Sequence, residues 1–210
     1  MTIVVFDVET TGLPKKRNRP FTDFENWPYI VQISWIVYNS GEIESINDHI
    51  IKIPEEQKIP EDSIKIHGIT NEIMRRDGEN IVDVLMEFKR DLSNSKIMVA
   101  HNLEFDTSII SVELLRNDLR NAMYFYRGEK YCTMQKTKHL FKRWPKLINL
   151  HKTFFKTTPT QLHNSLIDVY VCFRCFCFHY YGYDPVYNNK TIENNPNNQE
   201  FRRVFDEILN

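Results

Sequence analysis

Four acidic residues and one histidine, spread over three segments, are the residues of this chain best suited to chemistry. Asp7 and Glu9 lie in VVFDVETTGL, Asp106 in VAHNLEFD, and His163 with Asp168 in LHNSLID. Carboxylates that converge repel one another, by about 4 kcal/mol per pair at about 4 Å and an effective dielectric near 20. Divalent cations offset this repulsion, and Mg²⁺ accepts carboxylate, water and phosphate oxygens. The set therefore predicts a metal site that cleaves phosphodiesters, with His163 as general base.

Two cations suit this reaction because ions about 3.5–4 Å apart contact both the attacking and the leaving oxygen. An imidazole, with an unperturbed pKa of about 6.5, suits proton abstraction near neutrality. His163 and Asp168 are separated by four residues, so they do not share one face of a helix. We expect the histidine at or before the start of the helix that carries Asp168.

Each of these residues alone also has a structural explanation. An Asp-x-Glu after a strand is usually a turn or a cap, and Asp106 alone favours a helix N-terminus through the helix dipole. A single histidine is more often solvated or hydrogen-bonded than catalytic. The joint appearance of all five residues in this order favours catalysis.

The elements around these residues predict a fold that brings them together. We predict strands at 2–8, 29–38, 43–53, 97–100 and 131–134, short helical turns over 60–76, and helices at 80–94, 104–119, 135–143, 146–156 and 161–181. The second and third strands form an antiparallel hairpin, and the later strands alternate with helices and pair in parallel. The prediction is an α/β fold, a mixed five-stranded sheet flanked by helices, with the acids where open α/β sheets place ligands.

Composition places the chain among ordinary globular proteins. Its 210 residues are 41% hydrophobic and carry a formal charge of -1, which suits one domain with a sizeable core. The near-neutral charge gives no sign of bulk nucleic-acid binding, but a protein that holds a strand end through metals needs few phosphate contacts. The first residues lack the pattern of a secretory signal, and no stretch reaches the about 18 apolar residues of a membrane span. We expect a soluble intracellular protein of the cytoplasm or nucleus, not secreted and without membrane association.

Three of the four cysteines form a C-x2-C-x-C cluster at Cys172, Cys175 and Cys177. Such a cluster could indicate zinc or redox chemistry, but it lies in a strongly apolar run with no second ligand pair nearby. Buried free thiols are the favoured interpretation.

The C-terminal part differs from the rest of the chain. Residues 184–199 are rich in asparagine and predict an irregular connection, and the following QEFRRVFDEILN predicts an amphipathic helix. Its docking on the chain's own domain is favoured, and a protein partner such as a polymerase or another replication protein is the alternative. The expected division is a catalytic domain over 1–182 and an extension over 183–210.

In combination, the three segments resemble the DEDDh 3′→5′ exonucleases, the DnaQ-like branch of the ribonuclease H-like fold. FDVETTGL, AHNLEFD and HNSLID match the three motifs of that family in order, and IHGIT and PKLINL match further landmarks. The resemblance covers about residues 2–181 and implies an exonuclease domain over 1–182. One departure is Ser165, which stands where many members have alanine, and both residues are small.

The resemblance implies a role for each motif residue. Asp7, Glu9 and Asp168 would hold one Mg²⁺, Asp7 would share a second Mg²⁺ with support from Asp106, and His163 would be the base. Mn²⁺ would substitute for Mg²⁺. The residues implied to contact or shape the pocket of the terminal nucleotide are Thr10, Gly12, Leu13, Asn102 and Phe105.

The resulting expectation is a metal-dependent 3′→5′ exonuclease that releases nucleoside monophosphates from single-stranded DNA ends by two-metal-ion hydrolysis. No motif reads the 2′-hydroxyl, so an exoribonuclease that trims RNA 3′ ends is an alternative. A non-catalytic nucleic-acid-binding module is a third possibility, although such modules usually lose an acid or the base.

Two groups of side chains outside the motifs have open interpretations. Bases could stack on Phe105 or on aromatics of the 21–29 loop, or those aromatics could form a loop cluster: Phe21, Phe24, Trp27 and Tyr29. A second group is favoured as a solvated helix face over phosphate contacts: Lys136, Lys138, Lys142, Arg143 and Lys146.

Overall fold

A mixed five-stranded sheet forms the centre of the computed structural model, which describes residues 1–16, 18–119, 126–187 and 195–209. The strands are β1 (Thr2–Thr10), β2 (Ile30–Asn39), β3 (Glu42–Ile50), β4 (Ile97–Ala100) and β5 (Glu129–Cys132). They lie in the order β3-β2-β1-β4-β5. The first three pair antiparallel, and β4 pairs in parallel with both β1 and β5. The fold class predicted from the sequence is confirmed.

Helices cover both faces of this sheet. Those described are α1 (Glu61–His67), α2 (Asn71–Asp77), α3 (Ile81–Ser93), α4 (Leu103–Arg116), α5 (Thr133–Lys136), α6 (Leu147–Phe155), α7 (Ser165–Tyr181) and α8 (Pro196–Leu209). Single 3-10 turns occur at Phe24–Asn26 and Lys138–Leu140. Of the helices described, none is long and apolar enough to cross a membrane.

Alternation along β1 determines where its acidic residues point. Ile3 and Val5 belong to the buried cluster formed with α7, whereas Val4 and Phe6 belong to the cluster on the opposite face, with α3 and α4. Because successive side chains of a strand alternate between faces, the odd-numbered residues that follow continue the α7 face. The end of β1 therefore directs its carboxylates toward the N-terminal part of α7.

Helix α7 is apolar on nearly all sides because it is buried between the sheet and the other helices. Cys172, Cys175 and Cys177 lie in its buried middle as free thiols. Burial raises the pKa of each of these three thiols above its ordinary value, which keeps them protonated. The interpretation of the cysteine cluster as buried free thiols is confirmed.

Helix α8 packs against the same core with its apolar face. Phe201 and Phe205 are 2% and 0% exposed, and the ring of Phe201 packs edge-on against Tyr170 and Phe173 of α7, with centroids 5.3 Å apart in both pairs. Nearby, the buried Arg174 guanidinium donates to both carboxylate oxygens of Asp184 at 3.0 and 2.6 Å. The chain itself therefore covers the apolar face of α8.

Several predicted boundaries were wrong, and tertiary contacts explain the differences. A helix over 135–143 is replaced by α5, one 3-10 turn and a bend, because this lysine-rich stretch has no continuous apolar face to bury. Strand β5 begins at Glu129 rather than 131, since pairing with 97–100 of β4 sets its limits.

Helix α7 starts at Ser165 rather than 161 because Gln161 and His163 have φ of 59° and 71°, which a right-handed helix excludes. Helix α8 begins at Pro196, inside the connection predicted as irregular, and residues 188–194 of that connection lie outside the described residues.

Truncating one buried ring of α8 should destabilise the whole protein. We expect Phe205→Ala to lower the free energy of unfolding by about 3–5 kcal/mol, because it leaves a cavity in a closed core. Urea unfolding at pH 7 measures this change. Arg202→Ala, on the exposed side of the same helix, should change the free energy by less than about 0.5 kcal/mol. Equal stability of both variants would mean that α8 is not docked in solution.

Candidate active site: an acidic cluster beside His163

Asp7 and Glu9 lie near the end of the central strand, on the face that α7 covers. Asp7 is paired with Ser34 and Glu9 with Gln32 across the β1–β2 ladder, and the register shifts after Glu9. Both residues are half-buried, unlike most of the strand before them.

Asp106 comes to the same place from the first turn of α4. Asn102, with φ of 73°, precedes this helix, and its carbonyl accepts the Phe105 N–H at 2.9 Å. The Asp106 side chain is 3% exposed. Backbone amides of Asp106 itself and of Val8 favour its ionised form. The contact with Val8 fixes Asp106 to β1, next to Asp7.

Asp168 and His163 complete the cluster from the start of α7. The backbone N–H of His163 donates to Asp168 Oδ2 at 3.2 Å. One ligand atom each of Glu9, His163 and Asp168 lie within 4.8 Å of one another. The imidazole is exposed, and the left-handed backbone at His163 places it before the helix, as its spacing from Asp168 predicts.

The pKa values of the four carboxyl groups show how strongly the cluster is crowded. Burial, followed by repulsion from neighbouring carboxylates, raises the pKa of Asp7 well above its ordinary value and that of Glu9 to about 8. Burial likewise raises the pKa of Asp106 to about 8 and that of Asp168 to about 7. In the described part of the chain, the groups that lower these pKa values are backbone amides and Ser165, and none is a lysine or an arginine.

An acidic cluster without a cationic side chain fits divalent metal ions. Hard cations with several oxygen ligands replace the missing positive charge, and carboxylates held on rigid elements supply such ligands. Glu9, His163 and Asp168 each offer one donor atom to such an ion, and repulsion links Asp7 and Asp106 to the same cluster. The structure thus brings together all five residues of the predicted constellation.

Without metal, the stability of the folded protein should depend on pH, and the direction of this dependence follows from the raised pKa values of the carboxyl groups. Carboxyl groups with pKa values of about 7 to 8 in the folded state and about 4 in the unfolded state bind more protons when folded. The stability of the metal-free protein therefore falls as pH rises between those values. Mg²⁺ binds the ionised groups, so the gain in Tm on adding Mg²⁺ should increase over the same range.

Thermal unfolding in EDTA and in excess Mg²⁺, at about pH 5.5, 7 and 8.5, measures this difference. Asp7→Asn is the control, since it should flatten the dependence by removing one of the interacting charges. A gain in Tm on adding Mg²⁺ that is constant over the range would contradict the metal assignment.

Buried hydrogen bonds fix the start of α7 to the sheet. Ser165 Oγ donates to the backbone carbonyl of Asp7 at 2.7 Å, and the Ser165 N–H donates to Gln32 Oε1 at 3.2 Å. Gln32 Nε2 and Ser34 Oγ in turn both donate to Asp48 Oδ1 at 2.7 Å. These bonds hold Asp168 close to the carboxylates of β1.

The sequence analysis did not predict this network. Serine and alanine are both small, but the Ser165 hydroxyl makes a bond to β1 that alanine lacks. Gln32 and Ser34 alternate in an otherwise apolar strand, and this alternation was the available signal. Their function depends on the strand register, which places them beside Glu9 and Asp7.

The residues predicted to contact the terminal nucleotide are divided between a cleft and a turn. Leu13, Asn102 and Phe105 line a cleft of about 790 Å³. Thr10 is buried and its Oγ1 donates to the Gly12 carbonyl at 2.6 Å. Thr10 and Gly12 therefore shape the turn that presents Leu13, and the cleft lining does not include them.

Two of the loop aromatics pack within the protein, and the other two line the cleft, where a base could stack on them. Phe24 and Tyr29 pack on the Arg116 guanidinium, whose carbon lies 5.9 and 4.0 Å from their ring centroids. Arg116 also donates to backbone carbonyls of this loop, including Pro28 at 2.8 Å. Phe21 and Trp27 instead line the cleft, with ring centroids 5.4 Å apart. Arg116, which belongs to none of the sequence motifs, thus anchors the loop to α4.

The basic residues of 136–146 are largely used within the protein or exposed to solvent. Lys138 Nζ donates to the Phe141 carbonyl at 3.2 Å, and Lys136 Nζ lies 5.6 Å from the Tyr131 ring centroid. Lys142, Arg143 and Lys146 are exposed. A solvated face remains the better description of this segment.

This fold and this cluster define the class of protein. Residues 4–176 match the RNase T family model, which is described as an exonuclease. The chain belongs to this family of DnaQ-like exonucleases and is a nuclease, a phosphodiester hydrolase. Exonucleases of this family need divalent metal ions.

Curated proteins to which the chain is similar include bacterial DNA polymerases. The PolC-type DNA polymerase III of Listeria innocua is 29% identical over 121 residues, which are 58% of this chain and 7% of that polymerase. The Bacillus subtilis protein of the same name is 31% identical over 111 residues, 53% of this chain and 7% of the polymerase. The chain therefore matches only a small part of these relatives.

Among solved structures, the chain has the fold of exonucleases. Escherichia coli exonuclease I, in a zinc-bound complex with single-stranded DNA, superimposes with a TM-score of 0.64 and 16% identity over 85% of this chain and 41% of that one. Exonuclease X in complex with 5′-overhanging duplex DNA superimposes with a TM-score of 0.55 and 20% identity, over 87% of this chain and 95% of that one. At these identities the likeness establishes the ribonuclease H-like fold alone.

Proposed function

We propose that this protein is a metal-dependent 3′→5′ exonuclease that releases nucleoside monophosphates from single-stranded DNA ends. The observation that carries this proposal is the convergence of four carboxyl groups with raised pKa values and an exposed imidazole. Two Mg²⁺ ions fit the number and charge of the donors, and Mn²⁺ should substitute for them.

Each residue has a definite task in this reaction. Asp7, Glu9 and Asp168 would hold one ion, and Asp7 with support from Asp106 would hold the other. Ions bound there would supply activation of the attacking water and stabilisation of the charge on the leaving 3′ oxygen. A ring nitrogen of His163 accepts the proton of that water. The exposed position of His163 lets it return the proton to solvent after each cycle.

The cleft beside the acids holds the terminal nucleotide. Leu13 and Phe105 offer apolar contacts to its base and sugar, and the exposed Asn102 offers an amide. Phe105 immediately precedes Asp106, so a base held at Phe105 brings its phosphate toward the carboxylates. Thr10 and Gly12 keep Leu13 in place through the turn that follows β1.

DNA is the favoured substrate because the similar proteins act in DNA metabolism or were solved with DNA. Two of the superimposed structures contain single-stranded or 5′-overhanging DNA, and the curated relatives are DNA polymerases. Only 3′ ends that are unpaired fit the proposal, since stacking on side chains requires unstacked bases.

Cleavage of matched 5′-labelled DNA and RNA oligonucleotides tests this proposal. We expect Mg²⁺ and Mn²⁺ to support a ladder of products shortened from the 3′ end with release of 5′-monophosphates, EDTA to prevent it, and DNA to be shortened faster than RNA. Much faster shortening of RNA would identify an exoribonuclease. Tight binding without any cleavage in either metal would identify a non-catalytic binding module.

A further inference from the structure

The cleft extends well beyond the three residues proposed for the terminal nucleotide. Its outer part lies between the loop that follows β1 and the segment around α5. Most of the other side chains that line the cleft are aromatic, amide or basic, including Asn18, Arg19, Phe21, Trp27, Gln135 and Trp144. Glu104, Ser108 and Met134 also line it. Aromatic rings suit the faces of nucleobases, amides their edges, and cations the phosphates. This combination of side chains fits a nucleic-acid strand.

Trp144 is the most exposed of these aromatic side chains. Its side chain is 59% exposed, although a tryptophan gains more than most residues from burial. A tryptophan that packs the protein's own core would not lie open at the rim of a cleft. Its exposed ring is therefore available to a ligand that enters the cleft.

The backbone next to Trp144 is fixed to the second sequence motif. His101 Nε2 donates to the carbonyl of Pro145 at 3.0 Å, and its Nδ1 lies 2.9 Å from Thr133 Oγ1. Burial lowers the pKa of His101 to about 4, so the imidazole stays neutral and its single N–H serves the Pro145 carbonyl. Because His101 adjoins Asn102, Trp144 is held at a constant distance from the terminal-nucleotide pocket.

Both walls of the outer cleft are braced from within. Lys138 Nζ lies 5.6 Å from the Trp144 ring centroid while it donates to the Phe141 carbonyl. On the opposite wall, Trp27 Nε1 donates to the Pro20 carbonyl at 3.0 Å, and Arg19 bonds Asp23 at 2.7 Å. Because side chains on both sides of the cleft are held in place before a ligand binds, less conformational entropy is lost on binding.

We infer that Trp144 is a second stacking site, which binds a nucleobase upstream of the terminal nucleotide. The inference rests on the proposed function for the identity of its ligand, a single strand whose 3′ end lies at the acids. The amides of Asn18 and Gln135 contact the edges of that base, and Arg19 faces the phosphates. The site extends the contact between enzyme and strand beyond the nucleotide that is removed, so it acts on binding rather than on chemistry.

Binding without cleavage tests this inference. Thymidine 5′-monophosphate and an oligothymidylate of eight nucleotides are titrated in EDTA against wild type, Trp144→Ala and Trp144→Phe. We expect Trp144→Ala to weaken binding of the octanucleotide by about tenfold, the loss of one base–aromatic stack. Binding of thymidine 5′-monophosphate, which has no upstream base, should be unchanged. Trp144→Phe should retain octanucleotide binding within about threefold because its ring still stacks.

Two further measurements make the result specific. Leu140→Ala is the matched control, since Leu140 is 46% exposed on the same segment and is not among the residues lining the cleft. Wild-type tryptophan fluorescence should be quenched by the octanucleotide, and Trp144→Phe should lose most of this quenching.

Equal octanucleotide binding by wild type and Trp144→Ala, or equal quenching in wild type and Trp144→Phe, would overturn the inference. A parallel loss of thymidine 5′-monophosphate binding in Trp144→Ala would also overturn it, because the effect would then be general. Failure of the proposed function is a separate result, namely an absence of strand shortening by wild type in Mg²⁺ and Mn²⁺.

Discussion

Asp7→Asn should reduce the cleavage rate by at least roughly a thousandfold while the protein remains folded. Asp7 is the acid that both proposed ions share, and loss of the several kcal/mol that metal ions contribute to the transition state corresponds to such a factor. Asparagine has nearly the same size, so packing under α7 is preserved. The bond from Ser165 reaches the backbone carbonyl of Asp7 and does not depend on the side chain.

The same substitution should make the metal-free protein more stable. Repulsion from Asp106, Asp168 and Glu9 adds to burial in raising the pKa of Asp7, and a neutral side chain relieves that repulsion. Steady-state cleavage in Mg²⁺ and urea unfolding in EDTA at about pH 8 measure the two effects. Opposite changes in activity and stability are the signature of a functional charge cluster.

Asp62→Asn is the matched control for this experiment. Its side chain is 95% exposed on α1, so the same chemical change should leave both activity and stability close to those of wild type. An Asp7→Asn variant with wild-type activity would refute the assignment of Asp7 to the metals. An inactive variant that is also strongly destabilised would indicate a structural role instead.

His163→Asn should lower kcat by about a hundredfold to ten-thousandfold, the usual contribution of a positioned general base. Asparagine tolerates a left-handed backbone better than most residues, so the φ of 71° at this position is compatible with the substitution. The backbone N–H that bonds Asp168 at 3.2 Å is retained. Metal binding should therefore remain within a few-fold of the wild-type value.

A pH profile separates the loss of a base from a structural defect. The dependence of kcat on pH that a general base imposes should be present in the wild type and absent in His163→Asn. Added imidazole should restore part of the activity because position 163 is exposed. An unchanged kcat, or a lower kcat with the same pH dependence as wild type, would mean that His163 does not accept the proton.

The convergence of the acids was predictable from the sequence because it depends on local rules. Asp7 and Glu9 share a face through strand alternation, and strands that alternate with helices place their ends at one edge of the sheet. The position of His163 before α7 also followed from its spacing to Asp168. The predicted fold class was correct for the same reason, since apolar runs and turn residues indicate where strands and helices occur.

Features that depend on contacts between distant segments were not predictable. Nothing in the sequence around Arg116 distinguishes it from other helix residues. Its contacts with Phe24 and Tyr29 depend on the fold, because those residues are far from it in the chain. The contribution of Ser165 required the register that puts its hydroxyl against Asp7. Trp144 lay within a predicted connection, and the bond between His101 and the neighbouring Pro145 joins residues that are far apart in the sequence.

Anomalous diffraction from crystals grown with Mn²⁺ and a deoxynucleoside 5′-monophosphate tests the central claim most directly. We expect two metal peaks about 3.5–4 Å apart, one bound by Asp7, Glu9 and Asp168 and the other bound by Asp7 near Asp106, with the phosphate between them and His163. Mn²⁺ bound elsewhere on the protein, with none among these carboxylates, would contradict it.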